Sequence, residues 1–162
     1  MFDNAIWAFD FDGTLVKNTK FVDVPTNDKH FNEFKLFINP SAFDLNWTIV
    51  TSRPIVDRIK IEMVLDKCNA KPTFPIMTQI YDVPKVHCEE EYQIKIDHFK
   101  NLVAAYHPQY LIYVDNSLKV IDSITNIMKS DKNKEFNDWG GLTLMTLQDA
   151  ANTIIPKIGD LK

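Results

Sequence analysis

Short apolar runs alternate along this chain with segments of helical periodicity. Residues 5–11, 47–51 and 110–114 form the clearest runs, and each is followed by polar or turn-forming residues. Such runs are typical of strands that are buried on both faces of a sheet, and strands that alternate with helices pair in parallel through right-handed crossovers. The pattern therefore predicts an α/β fold with a mostly parallel central sheet and helices on both faces.

The remaining predicted elements complete this alternation. Two further strands are expected at residues 74–79 and 142–147, and helices are expected near 55–69, 91–106 and 118–128. Residues 130–138 are interpreted as a polar loop. The buried face of the first helix is predicted from apolar residues at helical spacing, namely Ile55, Val56, Ile59, Met63 and Leu65.

Length and composition are those of one ordinary globular domain, so we interpret residues 1–162 as a single domain. The chain is 45% hydrophobic and 25% charged, and its net charge of -4 does not indicate a nucleic-acid or membrane surface as partner. No stretch reaches the roughly 18 apolar residues of a membrane span, and no signal peptide is evident. We expect a cytoplasmic protein that binds no membrane, and the sequence leaves its oligomeric state unknown. Cys68 and Cys88 lack metal-type spacing and are expected to be free thiols.

Two aspartates flank Phe11 at the end of the first predicted strand. Asp10 and Asp12 precede Gly13, which allows a tight turn around a ligand, and alternation in an extended chain aims both carboxylates the same way. Asp115 ends another predicted strand and should reach the same edge of the sheet. Like charges that lie this close need a cation, and Mg²⁺ prefers oxygen ligands. The pattern therefore predicts a magnesium site formed by these three aspartates.

The same residue types suit phosphoryl transfer. An aspartate can attack phosphorus, and a second carboxyl group can donate and recover the proton of the leaving group, so Asp10 and Asp12 fit these two roles. The transferred group also needs cationic and hydrogen-bonding partners. Thr51, at the end of the second predicted strand, and Lys95, in the helix before Asp115, are the candidates for this role.

Together these residues resemble the motifs of the haloacid dehalogenase (HAD)-like superfamily. Residues 10–16, which read Asp-Phe-Asp-Gly-Thr-Leu-Val, are similar to its first motif, residues 48–51 to the second, Lys95 to the third and residues 113–115 to the fourth. The resemblance implies a Rossmann-like HAD fold and a phosphatase that acts through an aspartyl-phosphate. It implies Asp10 as nucleophile, Asp12 as acid and base, and Mg²⁺ held by Asp10, the Asp12 carbonyl and Asp115. The pattern departs from many relatives at Asn116 and Lys119, where they carry a second acid.

The spacing between these motifs implies a member without a large cap domain. The gap between Val16 and Trp47 leaves room for a flap and one helix, and an open site favours large substrates or the ends of polymers. More narrowly, residues 51–53 and 95–115 resemble the phosphatase half of phage polynucleotide kinase-phosphatases, which removes 3′-phosphates from nucleic acid. This resemblance implies a phosphorylated nucleotide or nucleic-acid end as partner. The substrate-binding residues on this interpretation are Thr51, Ser52, Arg53 and Lys95.

Other interpretations stay open. A small 5′-nucleotidase would act on mononucleotides, and a non-catalytic phosphate-binding module would keep the pocket without turnover. Thr51 can equally cap the following helix, and Arg53 can be a plain surface residue. Lys85 and Lys100 are rivals of Lys95 for the phosphate-binding role.

Overall fold

The part of the chain that the structure describes forms a single five-stranded sheet. The computed structural model describes residues 4–16, 36–81 and 83–159, the side chains of residues 156–159 excepted. All four strand pairings are parallel and the spatial order is β3-β2-β1-β4-β5, so the predicted parallel sheet is confirmed. The strands are β1 (Ala5–Phe9), β2 (Trp47–Pro54), β3 (Met77–Gln79), β4 (Tyr110–Val114) and β5 (Leu142–Met145).

The strand order reverses between β1 and β4. From β1 the chain builds outward through β2 to β3, and it then crosses back and continues through β4 to β5 on the other side. In open parallel sheets, the crevice at the carboxyl ends of the strands beside such a reversal is where ligands bind. Asp10 directly follows β1 and Asp115 directly follows β4, so the fold places both aspartates at this crevice.

Helices cover both faces of the sheet, as predicted. One face packs against α1 and α5 and the other against α2, α3 and α4. All five residues of β1 are buried because successive side chains enter opposite cores. The described α-helices are α1 (Arg58–Lys67), α2 (Glu89–Tyr106), α3 (Leu118–Met128), α4 (Lys134–Trp139) and α5 (Leu147–Gly159), and short 3-10 turns span Pro40–Phe43, Ile55–Asp57 and Asp131–Asn133.

The predicted buried face of α1 is largely wrong. The helix buries Ile61, Val64 and Leu65, of which the sequence pattern identified only the last. These three residues have the spacing i, i+3, i+4 and reach the sheet together, whereas the other apolar residues lie on the outer side of the helix or in the 3-10 turn before it. The exposed residues that were expected to be buried are Ile55, Val56, Ile59 and Met63.

Residues 130–138 form helical structure instead of the predicted polar loop. The 3-10 turn Asp131–Asn133 leads into α4, which places Phe136 in the core. The buried amide of Asn133 donates to the carbonyl of Ile127 at 3.0 Å, and such hydrogen bonds offset the burial of a polar group. Apolar periodicity does not detect this kind of stabilisation. It also gave no indication of α5, which was not predicted.

Several other predictions concern what surrounds the sheet. The described part of the chain contains no large cap domain, and the flap and helix expected between Val16 and Trp47 fall largely on residues 17–35, outside the described residues. None of the helices that the structure describes is long and apolar enough to cross a membrane. Cys68 and Cys88, the two cysteines of the chain, do not form a disulfide.

Candidate active site

An open cleft of about 810 Å³ lies at the carboxyl ends of the central strands. All seven residues that the sequence singled out line it: Asp10, Asp12, Thr51, Ser52, Arg53, Lys95 and Asp115. The fold thus brings together residues from four separate segments of the chain. The charged side chains described around the cleft are five acids and three bases, namely Asp10, Asp12, Asp57, Glu91, Asp115, Arg53, Lys95 and Lys119.

Asp10 lies at the centre of this constellation. Its Oδ1 atom faces the Nζ atom of Lys95 at 3.3 Å, and its Oδ2 atom accepts a hydrogen bond from the Thr14 hydroxyl at 3.4 Å. The pKa of Asp10 is raised from 3.8 to about 7, chiefly by burial; the charge of Lys95 opposes this shift, and the charges of Asp115 and Asp12 add to it. The protein atoms alone therefore oppose ionisation of Asp10, and a nearby cation would favour its carboxylate form.

Asp12 contacts a different cation. The Nε and Nη2 atoms of Arg53 donate to the two carboxylate oxygens of Asp12 at 2.7 and 2.6 Å, a two-point geometry that suits the planar guanidinium. Arg53 also donates to Asp57 at 3.2 Å. The sequence predicted that alternation would aim Asp10 and Asp12 the same way. However, β1 ends at Phe9, so the extended strand does not continue, and the two carboxylates share the cleft but bind different partners.

Lys95 and Asp115 are joined through a buried tyrosine. The Lys95 ammonium donates to the hydroxyl of Tyr113 at 2.9 Å, and that hydroxyl donates to the Oδ2 atom of Asp115 at 2.8 Å. Burial raises the pKa of Tyr113 well above its usual value of 10.0, so the hydroxyl keeps its proton. Sequence reasoning missed Tyr113. The signal that could have found it is its place two residues before Asp115, which puts both side chains on the same side of β4.

The two rival lysines lie elsewhere. Lys85 pairs with Glu90 at 3.7 Å, Lys100 pairs with Asp97 at 3.9 Å, and neither lines the cleft. Lys95 is 2% exposed and reaches the active-site carboxylate from the middle of α2. The structure thus separates Lys95 from the alternatives that the sequence left open.

Thr51 and Ser52 use their hydroxyl groups differently. The Thr51 oxygen accepts from the backbone N–H of Arg53 at 3.2 Å, which leaves the Thr51 proton available for a ligand in the cleft. Thr51 does not cap α1, because that helix begins seven residues later at Arg58. Ser52 instead donates its hydroxyl proton to Glu91 at 2.9 Å. Its predicted contact with substrate therefore requires that this hydrogen bond be broken.

Glu91 is a second residue that sequence reasoning missed. It is 7% exposed in the first turn of α2, and its second carboxylate oxygen accepts from the backbone N–H of His87. Together with the bond from Ser52, this contact ties the end of β2 to the segment before α2. Both segments line the cleft, so Glu91 links two parts of the cleft wall.

Glu91→Ala is expected to lower the free energy of unfolding by about 1–3 kcal/mol, because it leaves the partners on Ser52 and His87 without an acceptor. Urea denaturation measures this change. Glu90→Ala is the matched control in the same helical turn. Among the described residues Glu90 makes an exposed ion pair with Lys85, and its loss should change stability by at most about 0.5 kcal/mol. Equal effects of the two substitutions would contradict the bridging role of Glu91.

The oxygen atoms at the strand ends are of the chemical type that binds a magnesium ion. Hard cations take oxygen ligands, and the carboxylates of Asp10 and Asp115 line the same cleft. Within residues 4–16, 36–81 and 83–159, no three Asp, Glu, His or Cys side chains form a metal-binding group, and the Asp12 carboxylate is paired with Arg53 instead. The fit therefore rests on two carboxylates, with the Asp12 carbonyl and the waters that Mg²⁺ usually keeps as the remaining ligands. Asn116, at the place of the missing second acid, also lines the cleft.

Comparison with known proteins adds little to this geometry. No protein-family model and no curated protein matches the chain. Among solved structures, the HAD domain of the effector protein Lem4 from Legionella pneumophila is similar, with 13% sequence identity and a TM-score of 0.49. The alignment covers 87% of this chain and 84% of that chain. Similarity at this level establishes neither membership of a family nor an activity.

Proposed function

We propose that the protein is a magnesium-dependent phosphomonoesterase that acts through an aspartyl-phosphate on Asp10. The observation that carries the proposal is the contact of the Asp10 carboxylate with the buried Lys95 ammonium at 3.3 Å, in a cleft that Thr51 also lines. A phosphoryl group attacked by Asp10 would have a positive charge and a hydroxyl donor beside its outer oxygens. Those are the groups that stabilise charge during phosphoryl transfer.

The reaction would proceed in two steps. In the first, an Asp10 oxygen attacks phosphorus, the bond from phosphorus to the leaving oxygen breaks, and protonated Asp12 gives its proton to that oxygen. In the second, Asp12 removes a proton from water, the water oxygen attacks phosphorus, and the bond between phosphorus and Asp10 breaks. One water is consumed, one alcohol and one phosphate are released, and both aspartates return to their starting states.

The magnesium site would consist of Asp10, Asp115 and the backbone carbonyl of Asp12. When bound, Mg²⁺ would neutralise part of the negative charge on the phosphoryl group. The protein's own contribution is to hold the two carboxylates at adjacent strand ends and to place Lys95 beside them. Lys95 would then compensate the charge of the phosphate from within the protein core.

Arg53 would serve two anions in turn. Its guanidinium is bound to Asp12 at two points, and a phosphate in the cleft would compete with Asp12 for it. Transfer of Arg53 to the phosphate would release the Asp12 carboxylate, which would then take up a proton from solvent and become the acid of the first step. Ser52 could contribute only after its hydroxyl leaves Glu91.

For the substrate, we propose recognition of a single terminal phosphate on a nucleic-acid 3′ end or on a mononucleotide. The described cations of the cleft are Arg53, Lys95 and Lys119, which suffice for one phosphate. Proteins that bind along a polymer backbone use several more phosphate contacts. The open cleft leaves room for a large leaving group. The presence of Asn116 and Lys119 in place of a second acid keeps a non-catalytic phosphate-binding module as the alternative.

Phosphate release from a substrate panel tests this proposal. The panel contains an aryl phosphate, mononucleotides, and oligonucleotides phosphorylated at either end, each with Mg²⁺ or with a chelator. We expect release to fall by about 100-fold or more without Mg²⁺, because the metal supplies several kcal/mol of charge stabilisation. Fastest release from the 3′-phosphorylated oligonucleotide would support the end-directed activity, and preference for mononucleotides would identify a nucleotidase. Absence of metal-dependent release across the panel would contradict catalysis and favour the binding module.

A further inference from the structure

We propose that Tyr113 is a positioning residue whose hydroxyl orients both Lys95 and Asp115 for the reaction. The inference rests on the proposed function, and it gives a role to a residue of the fourth motif that the sequence analysis left without one. Tyr113 does not itself line the cleft, but it binds one group that would contact phosphate and one that would hold the metal.

The direction of the two hydrogen bonds follows from the chemistry of the groups. An ammonium has only donors, so the Tyr113 oxygen accepts from Lys95, at 2.9 Å. The single hydroxyl proton is then donated to the Asp115 carboxylate, at 2.8 Å. Each hydrogen bond strengthens the other, because a hydroxyl that accepts from a cation becomes a stronger donor to an anion.

The same contacts fix where the two charged groups point. The Lys95 ammonium contacts Asp10 at 3.3 Å and the Val50 carbonyl at 3.5 Å in addition to Tyr113, so its approach to the cleft is defined from three sides. One Asp115 oxygen accepts from Tyr113 and the other accepts from the Ser117 backbone N–H at 2.9 Å. Hydrogen bonds of this kind orient metal-binding carboxylates.

The tyrosine ring holds the hydroxyl at a defined place. Tyr113 is completely buried, and its ring packs against Phe99 with centroids 4.9 Å apart. The Lys95 ammonium approaches the hydroxyl end of this ring, at 2.9 Å from the oxygen. Because the ring is fixed between a strand and a helix, its hydroxyl is a fixed link between Lys95 and Asp115.

Tyr113→Phe tests the proposal because it removes the hydroxyl and keeps the ring. We expect the affinity for Mg²⁺, measured by titration calorimetry on the metal-free protein, to fall by about 10–100-fold, the range typical of lost partners of metal ligands. The catalytic rate constant kcat at saturating Mg²⁺ should also fall, since Lys95 loses one of its contacts. Tyr110→Phe is the matched control, because Tyr110 begins the same strand but packs against the core on the opposite face of the sheet.

The outcomes distinguish two roles of Tyr113: orientation of Lys95 and Asp115 by its hydroxyl, and packing of its ring in the core. Unchanged Mg²⁺ affinity in Tyr113→Phe, or an equal loss in Tyr110→Phe, would overturn the proposal. Mg²⁺ binding is measured without turnover, so it tests the role of Tyr113 independently of activity. A wild-type protein that binds Mg²⁺ but releases no phosphate would contradict the proposed function, and the titration would still test the role of Tyr113 in Mg²⁺ binding. A wild-type protein that binds no Mg²⁺ would overturn both. If Tyr113→Phe does not fold, comparing Lys95→Met with the double variant Lys95→Met/Tyr113→Phe isolates the effect of the hydroxyl on Asp115.

Discussion

Asp10→Asn is expected to lower the rate of phosphate release by a factor on the order of 10⁴ or more while the protein stays folded, a loss typical of enzymes whose nucleophile is removed. Asparagine has nearly the same shape and keeps one oxygen acceptor for Lys95 or Thr14. Its amide, however, is not a nucleophile toward phosphorus, so no aspartyl-phosphate can form. Steady-state phosphate release measures the loss, and thermal unfolding checks the fold.

The control for this substitution is Asp122→Asn, which removes an exposed carboxylate from α3 and should leave the rate unchanged. Mass spectrometry of acid-quenched protein adds a direct readout, because wild-type protein mixed with substrate should gain the mass of a phosphoryl group on Asp10. A rate comparable to wild type in Asp10→Asn, or a phosphoryl group found on another residue, would refute the nucleophile assignment.

Asp12→Asn is expected to slow the first chemical step by about 10²–10⁴-fold, the usual contribution of general acid–base catalysis. The loss should be larger for alkyl phosphates than for aryl phosphates, because an aryl oxide leaves more easily without a proton. Single-turnover measurements on the two substrates give this comparison. The second step should also slow, since the amide cannot take a proton from water, and the phosphorylated protein should therefore accumulate with the aryl substrate.

Arg53→Lys separates proton transfer by Asp12 from the placement of Asp12. Lysine keeps the positive charge but loses the two-point contact that holds the Asp12 carboxylate at 2.6 and 2.7 Å. The loss on alkyl phosphates should be smaller than in Asp12→Asn, because the proton donor is displaced but not removed. If Asp12→Asn slowed alkyl and aryl phosphates equally, Asp12 would not be the acid.

The strand pattern predicted this fold well because strands that are buried on both faces are continuous apolar runs. The ends of β1 and β4 were therefore located to within two residues, and with them Asp10 and Asp115. The buried face of α1 was harder to predict from the sequence, because apolar residues occur on more than one side of that helix. Only packing against the sheet selects Ile61, Val64 and Leu65 over Ile59 and Met63.

Contacts between residues far apart in the chain also could not be predicted from the sequence. Ser52 and Glu91 are 39 positions apart, and Asp12 and Arg53 are 41 positions apart. No local period relates such residues, and their pairing depends on how the loops at neighbouring strand ends approach each other. The sequence thus identified residue types suited to phosphoryl transfer, whereas the partner that each one binds emerged only from the folded chain.

The backbone of Asp10 belongs to the sheet itself, since its N–H donates to the Val114 carbonyl at 2.9 Å, and the N–H of Asp115 donates to Met145 at 3.1 Å. These two residues cannot separate unless the central strands come apart. The conformational entropy of bringing the carboxylates together is therefore lost when the chain folds, and not when substrate binds. Under the proposed function, turnover and global stability are therefore coupled: a substitution deep in β1 or β4, far from any phosphate, would act on turnover by changing the population of molecules in which the site exists.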